Sequence, residues 1–185
     1  MPQQRGHAAR AVGPALASFA IRRLVFGADR ALEGSTEAFA LIPGVIGEYL
    51  RRAFLTHTLS GCDRSATVRA GTVFSRTAAR LDANVYVGPG CHLGWVHLER
   101  DVLVGAGVHV PSGPAIHGTS DPNRAIRDQP GHPVLVRIGE GTWVGSAAIV
   151  LADVGRHCVI GAGAVVTKPI EDYVVAAGVP ARTIR

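Results

Sequence analysis

His117 opens a polar segment that interrupts an otherwise regular apolar pattern. An imidazole exchanges a proton near neutral pH, so it can act as a general base toward a hydroxyl or amine and then protonate a leaving group. The segment that it opens, residues 117–134, contains three prolines and two glycines together with alternating charges. Because such a composition cannot continue a buried repeat, we expect a loop that projects from the main body with His117 at its base.

The body that must position this histidine is predicted from a repeat with a period of six residues. A branched apolar residue recurs at that interval, and a glycine often follows it. The recurring residues are Leu98, Val104, Val110, Ile116, Ile138, Val144, Val150, Val154, Ile160 and Val166. Since a period of six fits neither an α-helix nor a β-meander, it predicts a parallel β-helix in which three units complete one coil. The interval from Val150 to Val154 is two residues short, which predicts a tightened corner.

Residues 1–60 lack this repeat and are predicted to be helical. Pro14 can begin a first helix that stops at Gly27. The stretch GVIGEYLRRAFLTHTL predicts a second helix, with Arg51 and Arg52 near its polar side. The residues predicted for the apolar face of this helix are Ile46, Tyr49, Leu50 and Ala53. The segment is interpreted as a helical cap on the β-helix or, alternatively, as a helix that contacts a membrane surface.

The composition narrows the class of protein. The chain has 185 residues, of which 47% are hydrophobic and only 5% aromatic, and it contains 23 glycines, which favours one domain rich in β structure and turns. The net charge is +5, but the basic residues are scattered and no set of aromatic residues is interleaved with them. This pattern argues against a nucleic-acid partner and suits an anionic small molecule or a membrane face.

The cysteines predict the cellular compartment. Cys62, Cys91 and Cys158 are widely spaced and odd in number, which is typical of free thiols and not of a disulfide framework or a zinc knuckle. The N-terminal stretch resembles neither a secretory signal nor a membrane span, because Arg22 and Arg23 interrupt its apolar residues. A cytoplasmic location is therefore predicted.

Two C-terminal stretches, RIGEGTWVGSAAIV and VIGAGAVVTKPIEDYVVAAGVPARTIR, carry a resemblance to a known family. Over about residues 60–185 the chain resembles the hexapeptide-repeat acyltransferases, and these stretches are similar to the maltose, galactoside and nodulation-factor O-acetyltransferases. The resemblance implies a mainly β fold, with a left-handed parallel β-helix over residues 61–185, a short α-helical N-terminal segment and one extruded loop at about 117–134. It also implies transfer of an acetyl group from acetyl-CoA to a hydroxyl or amine of a sugar or related small acceptor.

The resemblance assigns a catalytic role to His117, which matches the family's catalytic histidine at the start of the extruded loop. If each coil has three units of six residues, Glu99 lies eighteen positions earlier, in the same phase on the adjacent coil. Glu99 is therefore the candidate to orient the imidazole, with Asp101 and Asp121 as alternatives. Backbone N–H groups in the Gly145–Ser146 corner are the candidate donors to a tetrahedral oxyanion.

The resemblance also carries the acetyl-CoA site over, position by position. The matched residues are Ser146, Ala162, Thr167, Lys168, Arg182 and Arg185. The first two match contacts to the pantetheine arm, the next two match a pair near the nucleotide, and the arginines match groups placed to meet its phosphates. Small side chains leave room for a thin, linear donor, and its phosphates need cations.

The family resemblance implies a homotrimer whose clefts lie between chains, and it implies no metal. The acceptor stays open among a sugar hydroxyl in polysaccharide assembly, another small metabolite, an antibiotic and serine. Serine ranks lower because the serine acetyltransferases carry a longer helical N-terminal domain. The N-terminal helices and their arginines favour polysaccharide biosynthesis with peripheral membrane contact.

Two readings from other classes compete with this one. The γ-carbonic anhydrases share the fold and bind zinc through three histidines, for which His92, His97 and His57 are the candidates here. That family lacks the VVTK and PARTIR stretches, which argues against it. A β-helix that serves as a scaffold without chemistry is the second alternative, and the presence of His117 with the donor-site residues argues against that one.

Overall fold

The computed structural model describes residues 11–185. It begins with three helices, α1 (Gly13–Phe26), α2 (Ala28–Ala40) and α3 (Gly44–Thr58). Gly27 separates α1 from α2 with a φ of 85°, so the predicted stop at Gly27 is confirmed. No helix within the described residues has the length and the apolar character needed to cross a membrane. The predictions that concern residues 1–10 lie outside the described part of the chain.

After α3 the described chain consists of short strands joined by turns and by one long loop. In chain order they are β1 (Gly61–Cys62), β2 (Thr67–Val68), β3 (Val73–Phe74), β4 (Arg80–Leu81), β5 (Tyr86–Val87), β6 (His92–Leu93), β7 (Val96–Leu98), β8 (Leu103–Val104), β9 (His109–Val110), β10 (Val136–Ile138), β11 (Trp143–Val144), β12 (Ile149–Val150), β13 (Val159–Ile160), β14 (Val165–Val166), β15 (Val175–Ala177) and β16 (Arg182–Thr183). A single 3-10 turn, Ile126–Asp128, lies between β9 and β10.

The strands form the three faces of a prism. The first face contains β1, β4, β7 and β10, the second contains β2, β5, β8, β11, β13 and β15, and the third contains β3, β6, β9, β12 and β14. All of these neighbours pair in parallel, and only β16 joins the second face in the antiparallel direction. Each coil supplies one strand to each face in turn. The predicted fold class, a left-handed parallel β-helix with a helical N-terminal segment, is confirmed.

Stacked branched residues form the core of the prism. On the first face Leu81 pairs with Leu98, and Leu98 pairs with Ile138, and all three are buried. Val154 is buried as well and bridges to Ile138, so the predicted short interval after Val150 is confirmed: the chain crosses one corner within it. Leu98 follows Leu81 by seventeen positions and Val154 follows Ile138 by sixteen. These coils are therefore shorter than the predicted eighteen residues.

The extruded loop begins earlier than predicted. Val110 is the last inward residue before the loop, and Ile116 is 40% exposed, so the prediction that Ile116 continues the stack is wrong. Pro111 has no N–H to donate to the neighbouring coil, and the chain leaves the β-helix at that point. The loop consequently occupies residues 111–135, with the predicted segment 117–134 as its outer part.

The helices pack against the first coil, which confirms the helical cap. The Thr36 hydroxyl accepts a hydrogen bond from the backbone N–H of Phe74 at 3.1 Å. The carboxylate of Asp29 accepts one from the backbone N–H of Thr77 at 2.8 Å. Polar groups at the open end of the β-helix are thereby paired with the cap instead of with water.

The predicted apolar face of α3 is partly wrong. Ile46 and Tyr49 are exposed, whereas Arg51, predicted near the polar side, is only 3% exposed. The residues of α3 that are buried are Gly47, Arg51, Phe54, Leu55 and Thr58. Arg51 can occupy the core because its guanidinium donates to three backbone carbonyl oxygens, those of Val68 at 2.9 Å, Phe39 at 2.9 Å and Ile42 at 2.7 Å.

Candidate active site

His117 is exposed and lies near the base of the extruded loop. The outgoing and returning segments of the loop are joined at the base by a hydrogen bond from the backbone N–H of His132 to the carbonyl of Ala115, at 2.6 Å. At Gly131 a Cβ atom would collide with the carbonyl of Ile116 and would lie 2.8 Å from the amide nitrogen of His117. The backbone that carries His117 is therefore fixed by close packing, while its imidazole faces solvent.

Gln129 organises the outer part of the loop, and no sequence pattern predicts this role. Its side chain is buried, accepts the backbone N–H of Asp121 at 3.0 Å and donates to the carbonyls of Asp121 and Arg124, each at 2.8 Å. A lone glutamine in a polar segment looks like a surface residue. Only the folded loop shows that its amide replaces the backbone ladder that the loop lacks.

The predicted stacking of Glu99 on His117 is wrong. Leu98 pairs with Ile138, so the neighbour of Glu99 on the next coil is Gly139, and the Glu99 carboxylate accepts the N–H of Glu140 at 3.1 Å. Glu99 lies at the corner between the first and second faces, whereas the loop leaves between the third and the first. The prediction failed because it counted through Ile116 as though the repeat continued, and because it assumed coils of eighteen residues.

The two alternative carboxylates are also engaged elsewhere. Asp101 shares the corner of Glu99 and accepts a hydrogen bond from the side-chain amide of Asn84 at 3.0 Å. Asp121 lies in the loop itself, where its carboxylate accepts the backbone N–H of Asn123 at 2.9 Å. Both contacts stabilise local turns.

Three of the predicted donor-site residues lie at one corner, between the second and third faces. Ser146 and Ala162 are exposed on successive coils, and the N–H of Gly163 donates to the carbonyl of Ser146 at 2.8 Å. Arg182 pairs with Ala177, which places it at the same end of the second face. Small, exposed residues therefore line this corner, with an arginine at its C-terminal end.

The other predicted donor-site residues lie elsewhere in the same chain. Thr167 and Lys168 follow β14 at the corner between the third and first faces, and both are exposed. Arg185 lies at the opposite end of the second face, where its carbonyl accepts the N–H of Val175 at 2.7 Å. One chain does not bring all six residues together.

The predicted oxyanion donors need one correction. The N–H of Gly145 donates to the carbonyl of Ile160 at 2.7 Å, as part of the ladder between coils. It is therefore already used and is not a free donor. A Cβ atom on Gly145 would also collide with the backbone of Ala162, so this glycine serves the close stacking of the corner.

The histidines of the zinc hypothesis lie on separate surfaces. His92 is on the third face, where its ring stacks on that of His109 with the centroids 5.6 Å apart. His97 is on the first face, 2.9 Å from the carboxylate of Asp82. His57 is exposed near the end of α3. Within residues 11–185, no three His, Cys, Asp or Glu side chains of one chain are grouped to hold a metal ion.

The cysteines are free thiols, and we expect them to react slowly. Burial raises the pKa of Cys62 to about 12, and burial also raises the pKa of Cys91. Because only the thiolate reacts, Cys62 in the native protein at pH 8 should label about a thousandfold more slowly than free cysteine. Mass spectrometry of protein treated with a thiol reagent, native and denatured, measures this. Labelling of native Cys62 at the speed of free cysteine would contradict the assignment.

Comparison with known proteins supports the fold and the family. No family model matches the chain. It is 39% identical to a galactoside O-acetyltransferase of Lactococcus lactis over 106 residues, which is 52% of this chain and 50% of that protein. It is 41% identical to a probable acetyltransferase of Mycobacterium tuberculosis over 71 residues, 37% of this chain and 24% of that protein. The chain thus spans between about a quarter and half of these relatives.

Solved structures agree with the coils described above. A maltose O-acetyltransferase from Clostridium difficile superposes with a TM-score of 0.66 at 21% identity, over 81% of each chain. A galactoside acetyltransferase in complex with coenzyme A superposes with a TM-score of 0.65 at 22% identity, over 91% of this chain and 82% of the other. At this identity the superpositions establish the fold. Together with the partial sequence matches to galactoside O-acetyltransferases, they support a relationship of this chain to the hexapeptide-repeat acyltransferases, with which it shares the left-handed β-helix fold.

Proposed function

We propose that the chain is an acetyl-CoA-dependent O-acetyltransferase that acts on a hydroxyl of a sugar or related small acceptor, with His117 as general base. The observation that carries the proposal is the exposed imidazole at the rigid base of the loop between β9 and β10. The similarity to galactoside and maltose O-acetyltransferases supports this choice of acceptor class.

His117 would supply the proton transfers of this reaction. Its imidazole takes the proton of the acceptor hydroxyl as the oxygen attacks the thioester carbonyl of acetyl-CoA. The tetrahedral intermediate collapses when the carbon–sulfur bond breaks, and the imidazolium returns the proton to the departing thiolate. The products are the acetyl ester and CoA with a free thiol, and the histidine ends in its starting form. No covalent acyl-enzyme is needed.

We further propose that the donor site is shared between chains of a homotrimer. The corner with Ser146, Ala162 and Arg182 offers two small exposed side chains and one cation, whereas Lys168 lies at the far end of the third face. A linear donor would meet both groups if the corner of one chain faced the Lys168 corner of a second chain. Light scattering should then report about three times the chain mass of 19.3 kDa.

A membrane role in polysaccharide assembly is a finer proposal, supported by the surface of the cap. Large apolar side chains on α1 are exposed, among them Leu24 at 85% and Phe26 at 58%. Arg23 is in the same last turn, as in helices that lie at an anionic lipid surface. Flotation with anionic and neutral vesicles tests this contact. Free thiols support the cytoplasm as the compartment.

The direct test follows the release of CoA thiol from acetyl-CoA across a panel of neutral sugars, acidic sugars, amino acids and aminoglycosides. Turnover with a sugar and with no amino acid is expected. Turnover with serine alone would move the chain to another acceptor class. Absence both of turnover and of CoA binding would favour the scaffold hypothesis over an enzyme.

A further inference from the structure

A column of basic side chains runs along the outside of the first face. Arg80 pairs with His97 in register, and His97 pairs with Arg137, so the three lie on successive coils. Neighbouring strands of a sheet are about 4.8 Å apart, which brings the three basic groups within reach of one small ligand. None of the residues assigned to acetyl transfer above lies on this face.

The carboxylate of Asp82 contacts the first two members of the column, Arg80 and His97. It accepts a hydrogen bond from Nε of Arg80 at 2.8 Å and lies 2.9 Å from Nε2 of His97. Burial raises the pKa of Asp82, but hydrogen bonds from Arg80 and His97 outweigh burial and hold that pKa below its usual value. Asp82 is therefore an anion that orients two cationic or polar groups and cannot neutralise a third.

Arg137 is the third member, and its guanidinium lacks an acidic partner. Its Nη1 atom lies 3.4 Å from Nδ1 of His97. Within the described residues no carboxylate lies within 4.0 Å of this guanidinium, since the carboxylate of Asp153 accepts the backbone N–H of Arg137 instead, at 2.8 Å. The guanidinium groups of Arg80, Arg100 and Arg156 each have a carboxylate partner. A guanidinium presents a rigid fork of donors that matches a carboxylate or phosphate group. The column consequently offers an unused site for an anion.

The column lines a cavity that also has an apolar wall. The cavity has a volume of about 280 Å³, and we call it the first-face groove. Its wall includes Ser60, Arg80, Trp95, His97, Leu135 and Arg137. A second cavity of about 500 Å³ shares Arg80 and continues along the same face toward Arg100. An indole beside arginines is suited to a sugar ring that carries an acidic substituent, because the ring stacks while the acid is paired.

The first-face groove adjoins the base of the extruded loop. The backbone N–H of Trp95 donates to the Ser112 hydroxyl at 2.8 Å, and its carbonyl accepts the N–H of Val136 at 3.0 Å. Ser112 is the second residue of the loop, and Leu135 is its last residue. The residues that fix His117 and those that line the groove thus share one corner of the prism.

We propose that the first-face groove binds a sugar that carries a carboxylate or phosphate group, with Arg137 as its main anchor and Trp95 as its stacking surface. If the chain is an O-acetyltransferase, as proposed above, this sugar is its acceptor, and the acceptor is then an acidic glycan. Only the identification of the bound sugar as the acceptor rests on the proposed function. Binding itself needs no acetyl-CoA. The groove lies beside the loop, so an acceptor longer than one unit would place an acidic unit here and a neighbouring hydroxyl at His117.

Isothermal titration of the purified full chain without acetyl-CoA tests the binding. The probes are D-glucuronate, D-glucose 6-phosphate, neutral D-glucose and inorganic phosphate. We expect both sugar acids to bind at least about tenfold more tightly than glucose and inorganic phosphate, because each of those lacks one of the two contacts. Equal affinity for glucuronate and glucose would overturn the anion site. Inorganic phosphate that binds as tightly as the sugar acids would overturn the sugar site.

Two variants make the assignment specific. Arg137→Gln should weaken the sugar acids about tenfold and leave glucose unchanged, whereas Arg30→Gln removes the same charge from exposed α2 and should change nothing. An equal loss of affinity for the sugar acids in both variants would mean that only the overall charge of the protein matters, and it would overturn the site. Binding that passes these tests without any turnover leaves the groove in place and refutes the proposed function. Turnover of neutral sugars without binding of sugar acids would support the proposed function and refute the acidic-sugar site in the groove.

Discussion

Replacement of His117 with alanine should lower kcat by about 10²- to 10⁴-fold, while KM for acetyl-CoA changes little. The imidazole is the group that removes the acceptor proton in the proposed reaction. Of the predicted acetyl-CoA contacts, Ser146, Ala162 and Arg182 lie at another corner of the prism. Lys168 shares the corner of the loop but lies two coils further along, after β14. Since His117 is exposed and makes no core contact, the loss should reflect chemistry and not unfolding. Steady-state kinetics of CoA release, with the acceptor identified from the panel, measure the change.

His132→Ala is the matched control for this experiment. His132 is an exposed histidine of the same loop, and its structural contact at the loop base is made by its backbone N–H, which alanine keeps. It should retain kcat within about twofold of the wild type, since it has no part in proton transfer. A His117→Ala enzyme as fast as the His132→Ala enzyme would mean that the extruded segment is only a loop and that the base lies elsewhere.

The β-helix could be predicted from the sequence because the residues that point into its core recur at a regular interval. Leu98, Val104 and Val110 each lie above a counterpart in the previous coil, so one spacing repeats along the chain. The same rule failed at Ile116, whose spacing fits but whose backbone follows Pro111 out of the stack. A period describes which residues can point inward, whereas a proline decides whether the ladder that holds them continues.

The candidate site was harder to predict because it depends on contacts between residues of different coils. Glu99 was chosen by counting, and coils of seventeen and sixteen residues displace it from His117. Gln129 was missed because its side chain forms hydrogen bonds with the loop backbone, and such a role produces no periodic pattern in the sequence. The first-face groove was missed for a similar reason: Arg80 and Arg137 are fifty-seven positions apart and become neighbours only through His97.

The second large effect is expected at Arg51, where Arg51→Met should lower the free energy of unfolding by about 3–5 kcal/mol. Its buried guanidinium donates to the carbonyls of Val68, Phe39 and Ile42, and methionine would fill the space but leave these three oxygens without donors. The first oxygen belongs to the first coil and the other two to the end of α2 and the turn after it. The loss should therefore loosen the cap from the β-helix as well as destabilise the cap itself.

Arg52→Met separates this contribution from the charge of the helix. Arg52 is the next residue of α3, and its guanidinium lies over the exposed ring of Tyr49 at 4.7 Å, so its loss should cost about 1 kcal/mol or less. Arg51→Lys should fall between the two, because an ammonium group reaches some of the carbonyls without the fixed fork of donors. Urea unfolding of the three variants gives the order. Equal midpoints for Arg51→Met and Arg52→Met would show that the three carbonyls find other donors, and that the cap is held by its apolar contacts around Phe54 alone.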